Sequence, residues 1–158
     1  MKTRTKATLI AAVLTVDGVI HTYWATGVIW PARTPNSLSR AVLNIDGTFT
    51  PQVVLPLAAL LWTASGLVIA HSRGRGGRLA ALATAAVCGG LALRGCAGLI
   101  WATGTGTSTS APFYWLNLLA YTPICLALAP LAFSVARGSR AGAAGGRSVE
   151  PQISPALR

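Results

Sequence analysis

Charge is what this sequence has least of. Of its 158 residues only 10% are Asp, Glu, Lys or Arg, against about 25% in an ordinary soluble domain. A soluble chain this short could not cover its surface with so few charges. Acids are scarcest: Asp17, Asp46 and Glu150 are all there are. Cysteine is limited to Cys88, Cys96 and Cys125, all within apolar runs and without CxxC spacing. That excludes a zinc site, a disulfide framework and dithiol redox chemistry, and leaves small buried hydrophobes as the expectation. The two histidines, His21 and His71, fall on opposite sides of the expected topology and do not build a metal site. There is no Walker motif and no GxGxxG after a strand, and the GRGGR stretch is too short and basic for a phosphate loop. No cofactor is expected.

The formal net charge of +10 is not a nucleic-acid signature. The basic residues form short clusters between long apolar runs, with no basic face interleaved with aromatics. No nucleic-acid partner is expected.

What is abundant is apolar sequence. Hydrophobic residues make up 53% of the chain, and the mean hydropathy is +0.57. Four runs reach the ~20 residues needed to cross a ~30 Å hydrocarbon core: about 7–30, 51–70, 79–103 and 113–136. The first is too long for a signal-peptide h-region, is interrupted by Asp17, and lacks a clean small-x-small cleavage site after it. Residues 31–50 read as a polar connection with a short interfacial helix over Ser37–Leu43. Pro51 suits the first turn of the second span, with Pro56 early inside it. HSRGRGGR at 71–78 is a basic turn, with His71 solvated, and TGTGTSTSAP is a flexible loop. The expectation is an all-α, integral membrane four-helix bundle over 1–136, followed by a disordered basic cytoplasmic tail over 137–158.

Lys and Arg set the orientation. The head carries three, the 71–78 turn three and the tail four, while the 31–50 connection carries two and the 104–112 loop none. Ten against two places both termini in the cytoplasm of a multi-pass protein of the cell membrane.

Polar groups inside a span cost several kcal/mol and mark sites or pairs. Here they are Asp17 and His21 in the first span, Arg94 in the third and Asn117 in the fourth. At 1.5 Å per residue, Asp17 lies about 15 Å from the cytoplasmic end, His21 about 6 Å further, Arg94 at roughly 22 Å, and Asn117 about 6 Å below the outer surface. All therefore cluster in the outer half. Asp17, His21 and Trp24 share one helix face; Gly90, Arg94, Gly98 and Trp101 share another; Tyr114, Asn117 and Tyr121 share a third. Pro123 frees the carbonyl of Leu119 beside them. Converging faces would make an aromatic-walled polar pocket with the 31–50 connection as its lid. The structural alternative is an ion pair of Asp17 or His21 with Arg94 that holds helix register. Trp30, Trp101, Tyr114 and Trp115 fit an interfacial belt, and Trp24 and Tyr121 lie deeper.

The stretch Ile20-His21-Thr22-Tyr23-Trp24-Ala25-Thr26-Gly27 with Trp30-Pro31 resembles the start of a family of small bacterial four-helix membrane proteins, known as a domain of unknown function. Leu93-Arg94-Gly95, Phe113-Tyr114-Trp115-Leu116-Asn117 and Tyr121-Thr122-Pro123-Ile124-Cys125-Leu126 resemble its second half. The resemblance covers most of 7–136 and implies a fold and a membrane location. Asp17 lies outside the shared motifs, so its role rests on chemistry alone. In layout, with an embedded acid among aromatics, the chain is also similar to short membrane-integral terpene cyclases.

Two functions follow as expectations. The first is an enzyme acting on a lipophilic substrate, an acid-initiated terpene or meroterpenoid cyclase or isomerase. Asp17 would be the proton donor, with His21 orienting it or taking the final proton. Trp24, Trp62, Trp101 and Tyr121 would stabilise a carbocation. Arg94 beside Asp17 would hold that acid ionised and defeat this role. The second is a protein that binds or transports an anionic, lipid-like ligand through Arg94, His21 and Asn117, working as a homo-oligomer or with a larger partner.

Overall fold

A computed structural model describes residues 1–47 and 50–145, with side chains to Gly138. The described residues are helical and contain no strand. The elements are α1 (Thr3–Ala25), α2 (Pro35–Leu43), α3 (Pro51–Ser72), α4 (Gly77–Ala102), α5 (Pro112–Leu116), a π-helical turn over Asn117–Tyr121, and α6 (Thr122–Gly145). Helices α1, α3 and α4 are long and apolar enough to cross a bilayer, and so is the continuous segment Pro112–Gly138. Leu60, Leu82, Leu93 and Leu119 stand exposed on them. Helices apolar on every side suit a hydrocarbon solvent rather than water.

The four helices form a ring. α1 packs on α3, α3 on α4, α4 on α6, and α6 back on α1. One end of the ring carries most of the basic residues. There Lys6 Nζ donates to Ser134 Oγ at 3.0 Å, and the Arg137 guanidinium lies over Phe133. The half of the bundle next to this basic end is filled by Ala7, Ile10, Val68, Leu128, Ala132 and Val135. Serine and threonine join α1 to α3: Thr15 Oγ1 and Ser65 Oγ are 2.9 Å apart, and Ser65 Oγ donates to the Ala11 carbonyl.

The opposite end is closed by the two connections. Thr34 and Ser37 form a reciprocal capping box that starts α2. Asn44, at φ 58°, ends it in the left-handed region, and its amide donates to the Gly106 carbonyl. Arg40 and Asp46 pair on this exposed surface. The Arg40 hydrogen bond holds the Asp46 carboxyl below the usual carboxylate range.

Three boundaries depart from expectation. The first helix stops at Ala25 rather than Trp30, because Gly27 turns to φ +89° and its N–H bonds back to the Trp24 carbonyl. The fourth span is widened, though not interrupted, by the π turn over Asn117–Tyr121. The last helix continues to Gly145, past the expected start of a disordered tail at 137; the rest of that tail, 146–158, lies outside the described residues. Among the cysteines, Cys96 is exposed and Cys88 and Cys125 are half-buried, since only part of each helix circumference faces another helix.

Candidate functional site

The fourth span carries a proline where an α-helix would need an N–H. Pro123 cannot donate to Leu119, and the chain widens just before it. The Thr122 N–H reaches back to the Asn117 carbonyl, a π-type bond. Single π turns often sit at functional sites. This one turns Asn117 inward until it is fully buried.

Asn117 is then the hub of a polar cluster. Its Oδ1 accepts from Arg94 Nη1 at 2.9 Å and from Thr122 Oγ1 at 3.2 Å. Its Nδ2 donates to the Gly98 carbonyl at 2.9 Å. Arg94 also lies over two aromatic faces, Trp101 at 4.9 Å and Tyr121 at 5.3 Å, within cation–π range. Trp101 is braced edge-on by buried Phe113, and the Tyr114 hydroxyl donates to the Ala102 carbonyl. Glycine makes the approach feasible. A Cβ on Gly98 would collide with Thr122 Oγ1.

Across the ring, α1 carries a second polar group. His21 Nδ1 lies 2.8 Å from the Asp17 carbonyl and 3.2 Å from Asp17 Oδ1. Histidine is buried, while the Asp17 side chain is 49% exposed. The His21 ring meets Trp24 edge-on, and Trp24 Nε1 donates to the Trp30 carbonyl.

The expected residues therefore fall into two groups, Asp17, His21 and Trp24 on α1, and Arg94, Trp101, Asn117 and Tyr121 between α4 and the π turn. The expected ion pair of Arg94 with Asp17 or His21 is absent. Among the described residues the ion pairs are His21–Asp17 and Arg40–Asp46, and Arg94 takes a neutral amide instead. Trp62 is not brought to this cluster. Its indole rests on Gly18, where a Cβ would collide with it, and it lines a shallow groove with Thr22, Ala58 and Ala59. A second cleft lies between the end-closing connections, lined by Arg40, Asn44, Asp46 and Ser108. Neither cleft is the aromatic-walled pocket expected around Arg94, which is itself half-buried beside Asn117 and the two rings. Thr122 and the Gly98 carbonyl are site members that sequence reasoning did not single out. The available signal was a threonine five residues after Asn117 and next to Pro123.

No group of three or more His, Cys, Asp or Glu side chains among the described residues could hold a metal ion. The chemistry on offer is charge recognition: a guanidinium held by an amide and two rings, and a half-exposed carboxylate beside a histidine. No curated protein and no solved structure matches the chain. A family model described as a protein of unknown function, DUF3995, matches residues 14–132, a stretch that contains every residue of this cluster. The chain belongs to the DUF3995 family.

Proposed function

We propose that this is a multi-pass protein of the cell membrane, its basic end in the cytoplasm, that binds an amphipathic ligand through an anionic head group at Arg94. The observation that carries the reading is the state of Arg94. An arginine in a span costs about 2.5–3.5 kcal/mol even by the most lenient scale. This one is held by a neutral amide and two ring faces, with no carboxylate at ion-pair distance among the described residues. Guanidinium has five N–H donors, and Asn117 accepts from Nη1 alone. A phosphate or carboxylate head group would supply the missing charge and acceptors, in the bidentate geometry that favours arginine. The apolar flanks of α4 and α6 suit the ligand's chains. A transport role would need further helices from a second copy or a larger partner.

The test is thermal unfolding in dodecyl maltoside with increasing dodecyl phosphate. Ligand that binds the folded state raises the midpoint. Wild type should gain several degrees. Arg94→Gln should bind at least roughly tenfold more weakly, in line with the loss of one charge-assisted bond. Equal stabilisation of both proteins would remove Arg94 from the site.

A second reading is favoured by the Asp17–His21 contact beside Trp24: acid-initiated cyclisation or isomerisation of a lipophilic alkene or epoxide. A proton from Asp17 or from the His21 imidazolium would open the substrate, and loss of a proton from the cation would restore the donor, leaving the mass unchanged. Membranes holding the protein, incubated with prenylated and epoxy-prenylated compounds, would then yield isomers of unchanged mass that vanish in Asp17→Asn. An absence of isomers across a broad panel counts against this chemistry and leaves binding as the reading.

A further inference from the structure

We infer that the seam between α1 and α6 at the basic end of the bundle holds an anionic phospholipid, its phosphate on Lys6 and its chains along the apolar flank of that seam. The two helices touch here. Lys6 Nζ donates to Ser134 Oγ at 3.0 Å, and Thr3 lies against Gly138, where an added Cβ would stand 3.6 Å from Thr3 Oγ1. Ser134 Oγ in turn donates to the Leu131 carbonyl at 2.8 Å, which leaves its lone pairs for the lysine. A lysine near the end of a span ordinarily stretches out to water. Lys6 instead lies half-buried across the seam, held by a hydroxyl.

That hold leaves the ammonium without a counter-charge. It has three N–H donors and a single neutral side-chain acceptor. Among the described residues no carboxylate stands at ion-pair distance from it: Asp17 pairs with His21, and Asp46 pairs with Arg40 at the opposite end. Arg137 follows Ser134 by one helical turn, a spacing that makes side chains neighbours. Its guanidinium lies over the exposed Phe133 ring at 5.1 Å and has no ion pair among the described residues. Two cations without a carboxylate, beside apolar surface, fit a phosphate that carries acyl chains. Leu9 and Val13 continue the Lys6 face of α1 toward the middle of the span, and Leu126 continues the Phe133 face of α6; all three are exposed. Free phosphate would gain nothing from that flank. The site is separate from the one at Arg94. Ser134 lies more than three turns along α6 from Thr122, the partner of Asn117, roughly 18 Å at 1.5 Å per residue.

The experiment is native mass spectrometry of the full chain in dodecyl maltoside, titrated with phosphatidylglycerol and phosphatidylcholine of matched chains. Wild type should bind phosphatidylglycerol about tenfold more tightly than phosphatidylcholine, the size of one charge-assisted contact. Arg94→Gln should keep that preference, so lipid at the other site is not what is counted. Adding Lys6→Gln to Arg94→Gln should abolish it, although the glutamine amide can still donate to Ser134 and keep the seam closed. Adding Lys6→Arg instead should retain it. Arg75→Gln, at an exposed cation of the same end, should change it by less than about twofold, because exposed charges are screened. No preference in wild type, or the same preference with and without Lys6→Gln, overturns the site. A preference lost in Arg94→Gln alone assigns the lipid to Arg94 and overturns it as well. Equal losses from Lys6→Gln and Arg75→Gln would replace the site by diffuse attraction to the basic end. Inorganic phosphate that displaces phosphatidylglycerol at equal concentration would overturn the lipid assignment.

Discussion

Replacing Asn117 by alanine should lower the stability of the bundle by about 2.5–5 kcal/mol. The side chain is fully buried and makes three hydrogen bonds, to Arg94, Thr122 and the Gly98 carbonyl. Interhelical hydrogen bonds within membranes average only about 0.6 kcal/mol, with a maximum near 1.7. Two neutral bonds therefore account for roughly 1–2 kcal/mol on that scale. The bond from Arg94 is charge-assisted and is worth about 1.5–3 kcal/mol. Its loss also leaves the guanidinium facing a void, where an unpaired charge is costly. For a chain of this length, each kcal/mol moves the unfolding midpoint by about 2–4 °C. A fall of roughly 5–20 °C in detergent is therefore expected. Leu119→Ala, at a position exposed on the same turn, is the control and should move the midpoint little. Asn117→Asp separates stability from binding. Its carboxylate still accepts from Arg94 and Thr122 but has no N–H for the Gly98 carbonyl, so the fold should survive with a lowered midpoint, while the arginine is neutralised and dodecyl phosphate should no longer stabilise it. An alanine variant that melts with wild type would show that Asn117 is not the hub.

The parts of this molecule that its sequence made legible are those governed by local rules. Spans of twenty apolar residues must be helical because the backbone has no other partner in lipid, so four long helices were expected and are present. The Asp17–His21 contact was equally accessible, since residues four apart on a helix are neighbours. The helix end at Ala25 was missed because the run of apolar side chains continues to Trp30. The decisive residue there is Gly27, whose positive φ is a backbone choice rather than a hydropathy signal. The π turn has a longer-range cause. Pro123 announces a freed carbonyl, but whether the helix kinks or widens depends on what Asn117 finds across the interface, and that is the carbonyl of Gly98. Arg94 shows the same limit: its depth placed it level with His21, yet helix packing delivered it to Asn117. Trp62, being aromatic, reads from sequence as a face that could stabilise a carbocation. It sits instead on Gly18, a complementarity between two helices that neither shows alone.

Glycine at three positions of α4 should give a graded response that traces this packing. Gly98→Val is the severe case. A Cβ there would overlap Thr122 Oγ1 and lie 2.9 Å from Thr122 Cβ, which is no flexible chain end. The helices must separate, and close approach is the main source of helix association where no hydrophobic force acts between apolar surfaces. Overpacking of this kind costs about 1–3 kcal/mol. Separation also draws the Gly98 carbonyl away from Asn117 Nδ2, so a total of about 3 kcal/mol or more is expected, with weakened ligand binding. Gly95→Ala is intermediate, because its new methyl meets Leu126 Cδ2 at 2.7 Å, and a leucine tip can rotate away. Gly90→Ala meets open space and should be neutral or gain up to about 1 kcal/mol from helix propensity. The order is checked by unfolding midpoints measured in one detergent. If Gly98→Val proved as stable as Gly90→Ala, α4 and α6 could not be in contact at Thr122. The Asn117 hub would then lose its frame, because its amide reaches Gly98 only when those two helices touch.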